Sequence, residues 1–178
     1  SEAEKLVEEL RRLNERHTRR VEEVVRRLDE EVKKHRKDVR ELVRELRKLV
    51  DELRKANLDE DTVRKVAEEA KKRLDEIRRK SERVVERMRR ELKKIKDESE
   101  EMVKESRKRL TEIARRSRDE KLEELLREVE ETTEKSHRDL KRLLDRVREK
   151  VEDSHKELEE LLKEAKDRVD RVLEELRR

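Results

Sequence analysis

The sequence predicts an all-α fold: a long, nearly untwisted up-down-up three-helix bundle whose apolar positions recur every 18 residues. Three observations lead there. Gly, Pro, Cys and every aromatic residue are absent from the 178 positions, which removes the turn and strand chemistry of a sheet protein. Charged residues make up 61% of the chain and apolar ones 29%, yet the net charge is only +4. A chain that polar suggests disorder, but disorder goes with Pro, Ser and Gly enrichment and often a large net charge; helix formers fill this one instead. Finally, the helical pattern is interrupted in only two places, around Ala56 to Thr62 and around Arg115 to Asp119.

Those two interruptions divide one domain, residues 1–178, into helices over about 2–56, 60–116 and 119–178, each roughly 85 Å long at 1.5 Å per residue. Asn57 suits a left-handed C-cap after Arg54 and Lys55, and Asp59 suits the N-cap of the second helix, with Glu60 and Asp61 at its positive end. Ser117 or Asp119 caps the third helix, where Ser117 and Glu120 match a capping box, as Ser1 and Glu4 do at the start. Connections this short force neighbouring helices to run antiparallel.

Within each helix the apolar residues return at intervals of 18. Leu10, Leu28 and Leu46 align in the first, as do Val7, Val25 and Val43, and Leu6, Val24 and Leu42. Leu74, Leu92 and Leu110 align in the second, and Leu122, Leu140, Leu158 and Leu176 in the third. Eighteen residues are five turns of 3.6, so these positions share a face of a straight helix, whereas a sustained heptad would supercoil it. Each stripe fills an arc of roughly 120°, which serves one shared core. A monomer is therefore favoured, with a homo-oligomer as the other possibility.

Several functions are disfavoured by the same residues. There is no glycine-rich phosphate loop, no thiol nucleophile and no thiolate metal site. The N-terminus reads as neither signal nor transit peptide, no apolar run is long enough to span a membrane, and a soluble chain suited to cytoplasmic expression is expected. The basic stretch Lys33, Lys34, His35, Arg36, Lys37 reads as a solvated face rather than a nucleic-acid or membrane surface, because acids flank it and no aromatic residue is available to stack on bases.

The residues that break the apolar stripes from inside are more informative. His17 and His35 are 18 apart, as are His137 and His155, Ser81 and Ser99, and Ser136 and Ser154. In an antiparallel pair, residues at one height have a constant index sum. His17 with Ser99 and His35 with Ser81 share a sum centred on Leu58; Ser99 with His137 and Ser81 with His155 share one centred on Arg118. One cross-section should therefore hold His17, Ser99, Ser136 and His137, and another, about 27 Å along at 1.5 Å per residue, His35, Ser81, Ser154 and His155. Asn14 and Thr133 sit one turn from the first, and Glu31 one turn from the second. In the third repeat the same columns hold Leu53, Val63, Val172 and Leu173, a hydrophobic plug.

A neutral imidazole has one donor and one acceptor nitrogen, and a serine hydroxyl can donate once and accept twice, so an alternating ring satisfies both. A buried group left without a partner costs about 1–3 kcal/mol. Zinc needs three or four good ligands, whereas each layer offers two imidazoles plus hydroxyls. A porphyrin needs a flat cavity lined by small residues, and Leu and Val flank these histidines. Hydrolysis by Ser and His needs an oxyanion hole that a helix interior lacks. No cofactor, no metal and no catalytic residue is expected, which leaves a metal- or porphyrin-binding bundle as a minor alternative and an enzyme disfavoured.

Taken with the 18-residue repeat and the Glu/Lys/Arg surface, the positions of His17, His35, His137, His155, Ser81 and Ser99 make the chain resemble computationally designed, de novo parametric helical bundles with buried histidine hydrogen-bond networks. That resemblance implies a hyperstable, pH-responsive bundle without a natural activity or partner. Burial disfavours the imidazolium, so acidification below about pH 6 is expected to destabilise the fold. The alternative expectation is an inert scaffold in which the polar layers only set helix register.

Overall fold

The computed structural model of the chain describes residues 2–116 and 120–177. It contains α1 (Glu2–Lys55), α2 (Glu60–Arg116) and α3 (Glu120–Arg177), and the fold is an all-α three-helix bundle. Each helix begins on acidic residues and ends on basic ones, such as Glu60 and Asp61 against Arg115 and Arg116 in α2, which complements the helix dipole. Asp59 caps α2: its Oδ1 accepts from the Thr62 amide at 2.7 Å while its carbonyl accepts from Val63 at 3.1 Å. The capping roles expected of Ser1, Ser117 and Asp119 lie outside the described residues.

Two expectations are corrected. Asn57 is not left-handed; no non-glycine residue among those described has a positive φ. The last helix-type bond is Ala56 N–H to Glu52 O at 2.9 Å, and the chain then reaches Asp59 without the left-handed conformation, which costs about 1–2 kcal/mol where there is a Cβ. Leu6 and Leu42, placed in the core stripe of the first helix, are 42% and 45% exposed. At about 100° per residue they lie about 40° to one side of the Leu10–Leu28–Leu46 column, whereas the buried Val32 and Val50 lie about 40° to the other. The buried sector of α1 is displaced toward those valines, so the leucine edge is left at its open margin.

Contacts divide the chain into two compact units, each drawing a segment from all three helices. Unit 1 comprises Ser1–Asp29 and Arg89–Arg148. A core cluster there joins Val7 and Leu10 of α1 to Leu110 and Ile113 of α2 and to Leu122, Leu126 and Val129 of α3. Its helix directions follow from the ion pairs. Arg20 meets Glu98 at 3.1 Å and Arg27 meets Glu91 at 2.7 Å, so numbering falls along α2 as it rises along α1.

Unit 2 comprises Glu30–Met88 and Glu149–Arg178. Its cluster packs Val39, Val43, Leu46 and Val50 of α1 against Ala67, Ala70 and Leu74 of α2, and against Leu158, Leu162 and Val169 of α3. Small alanines at Ala67, Ala70 and Ala165 let the helices approach closely around these branched side chains. Arg40 meets Glu157 and Arg47 meets Glu164, so α1 and α3 run parallel here. Burying each Val or Leu stabilises by about 1.5–3 kcal/mol, against a few tenths for most exposed ion pairs, so the apolar columns hold the fold.

Candidate functional site: two histidine–serine layers

Two polar layers interrupt these cores, one in each unit. In unit 1, α1 presents His17 and α2 presents Ser99, and His17 Nε2 lies 2.7 Å from Ser99 Oγ. Ser99 is only 3% exposed, while the His17 ring is half-buried. The reason is a groove of about 900 Å³ between α1 and α2, lined by Leu13, His17 and Met102 together with charged residues such as Arg20 and Glu98. The layer therefore touches the core with its serine and the groove with its imidazole.

The same cross-section receives Ser136 and His137 from α3, both half-buried. Ser136 Oγ is 3.1 Å from Thr18 Oγ1. Thr18 has one hydroxyl proton and donates it to the Asn14 carbonyl at 2.9 Å, so in the contact between the two hydroxyls Ser136 is the donor. Among the described residues the His137 ring has no hydrogen-bond partner. The expected alternating ring is thus replaced by a His17–Ser99 pair and a Ser136–Thr18 pair, because Thr18 intercepts the serine of α3.

One turn away stands a second set of hydrogen bonds, joined to the layer through Thr18 and the Asn14 carbonyl. Asn14 Nδ2 donates to Thr133 Oγ1 at 3.1 Å, and Ser106 Oγ donates to Asn14 Oδ1 at 3.1 Å, so one amide links all three helices. Ser106 is 1% exposed. It and Thr18 are the functional residues that the repeat did not reveal. A signal existed: the columns of Asn14, Ser106 and Thr133 are apolar 18 residues on, as Val32, Met88 and Val151, so each is a polar exception at a core position.

In unit 2, His35 Nε2 lies 2.9 Å from Ser81 Oγ, and Ser81 is 3% exposed. Ser154 is buried, but no hydrogen bond among the described residues joins it to this pair. His155 turns along its own helix, its Nε2 lying 3.0 Å from Glu159 Oε1, and its Nδ1 is buried without a partner. Glu31 pairs with Arg87 of α2. Its carboxylate is occupied by the guanidinium, and the acid that acts on His35 is Asp38.

Burial sets the electrostatics of three of the histidines. Desolvation holds His17 below its ordinary value of 6.5; Glu98 opposes this, and Arg20 and His137 add to it. His35 is lowered by burial and by His155 against Asp38, and His137 by burial, Lys141 and Arg107 against Glu100. In each layer the imidazole on α3 thus adds to the lowering of the imidazole on α1. Among the described residues no group of three or more His, Asp or Glu could hold a metal ion, and no helix is long and apolar enough to cross a membrane.

No protein-family model matches the chain, and no curated protein matches it. A solved structure described as a computationally designed three helix bundle is similar in fold, with a TM-score of 0.58 and 18% sequence identity over 97% of this chain and 91% of that one. At that identity the likeness is one of fold.

Proposed function

We propose that the chain is a de novo designed helical bundle whose histidine–serine layers make its stability fall on acidification, with no catalytic role. The single observation that carries this reading is the pairing of His17 with Ser99 at 2.7 Å and of His35 with Ser81 at 2.9 Å, on buried serines. A neutral imidazole can accept or donate in these bonds, whereas an imidazolium can only donate, and it must be desolvated where it stands. The composition, the 18-residue columns and the fold shared with a computationally designed bundle support the designed origin.

The sign follows from the lowered imidazoles. The unfolded chain binds more protons, so the layers' contribution is complete above about pH 6.5 and is lost as pH falls through and below that value. Urea denaturation at pH 7.5 and 4.5 tests this: the midpoint drops at the lower pH, and it drops less when His17, His35, His137 and His155 are all replaced by Leu. Equal wild-type midpoints would sink the reading.

A scaffold reading is favoured by one specific observation. The Asn14–Ser106–Thr133 network contains no titratable group, so its role is to penalise slipped packings at any pH. If the quadruple leucine variant keeps the wild-type pH dependence, the histidine layers join that network as register devices only.

A further inference from the structure

Polar side chains of the first layer line a small, partly open cavity of about 20 Å³. His17, Ser99, Thr133, Ser136 and His137 line it, with Val103 and Leu140 in its apolar wall. A void must offer about 10–15 Å³ to admit one water, and the water needs two to four polar partners; larger ligands do not fit. Both conditions are met here.

The hydrogen bonds already made leave partners over. Ser136 spends its proton on Thr18, which leaves its lone pairs to accept. Ser99 is bonded to His17 through one interaction, and whichever atom donates, the hydroxyl keeps further capacity. The His137 ring carries a donor and an acceptor nitrogen with no partner among the described residues. We propose that this cavity binds a single long-lived water, which donates to Ser136 Oγ and links it to Ser99 and the His137 ring, so that the three helices of unit 1 share one hydrated junction. This site stands whether or not the chain responds to acid, since it rests on volume and unused hydrogen-bonding capacity alone.

The second layer is assigned no such water. Where the first has Asn14 and Thr133, the columns of unit 2 hold Val32 and Val151, 6% and 1% exposed, which fill that space with methyl groups. The contrast supplies the test. Oxygen-17 magnetic relaxation dispersion on the full chain at pH 7.5 counts long-lived waters, and a high-resolution crystal structure locates them. One such water is expected, within hydrogen-bond distance of Ser136 Oγ and His137. It is expected to vanish in Ser136→Val, which installs the residue found at 172, and in the double variant Asn14→Val with Thr133→Val, which copies unit 2. Absence of a long-lived water in the wild-type chain overturns the proposal, as does a water count unchanged in both variants. The wild-type measurement decides alone if a variant fails to fold.

Discussion

His155 directs its Nε2 to the carboxylate of Glu159, one turn along α3 and 3.0 Å away, rather than to a serine of a neighbouring helix. Its Nδ1 faces the interior with no partner. A carboxylate only accepts, so Nε2 carries the proton and Nδ1 is the bare nitrogen of the neutral ring. Long-range proton–nitrogen NMR at pH 8 should find His155 in the Nε2–H tautomer, and Glu159→Ala should release it to a mixture. An Nδ1–H ring in the wild-type chain would show that the Glu159 contact does not order this side of the layer.

Acid sensitivity should appear in two windows with different owners. Burial lowers His17, His35 and His137, so each should titrate below 6.5 in proton–carbon spectra of the folded chain. Their contribution is present above the unfolded value and is lost as pH falls past it. Glu157 acts lower. Burial opposes its ionisation, but hydrogen bonds and charge from Arg40 and Arg36 outweigh that and hold it below the usual carboxylate range. Its contribution is present above the ordinary carboxylate value and is lost only as pH falls through the depressed one. Glu157→Gln should therefore flatten the stability curve below pH 4.5 and leave the histidine window unchanged. A flattened curve near pH 6 would instead place Glu157 in the histidine response.

Removing a serine should cost more than removing the pair. Ser99→Ala leaves the half-buried His17 Nε2 facing a methyl group, a loss of about 1–2 kcal/mol at pH 7.5, read as a lower urea midpoint. His17→Leu combined with Ser99→Ala removes both polar groups and should recover most of that loss. Ser81→Ala and His35→Leu should behave alike in unit 2. A double variant as weak as the single would mean that packing, not the unpaired imidazole, sets the cost.

Much of this arrangement is legible in the sequence. Short connections at Leu58 and Arg118 turn helix periodicity into height, which is why equal index sums pair His17 with Ser99 and His35 with Ser81. The neighbours of those pairs are harder to read because they do not recur as the same residue type every 18 positions. Ser106 shares its column with Met88 and Ala70, and Thr18 shares its own with Arg36 and Arg54, so the pattern marks one as core and the other as surface. Which hydroxyl bonds which depends on side-chain reach of a few Å, and periodicity carries no information at that scale. Asn57 departs from its expected conformation for a related reason: cap propensity describes what a residue tolerates, while a four-residue connection between two fixed helix ends decides what it adopts.

The displaced core sector of α1 gives the sharpest stability contrast between like residues. Leu28 is 0% exposed, and Leu28→Ala should cost about 2–5 kcal/mol through lost burial and the cavity left behind. Leu42 belongs to the neighbouring apolar column yet is 45% exposed, so Leu42→Ala should stay within about 0.5 kcal/mol, and Leu42→Lys should do the same with its stem laid along the helix. Denaturant midpoints for the three variants check this at a single pH. A costly Leu42→Lys would show that the leucine edge is covered in solution, and sedimentation of the wild-type chain over a concentration series would then reveal whether a second copy covers it.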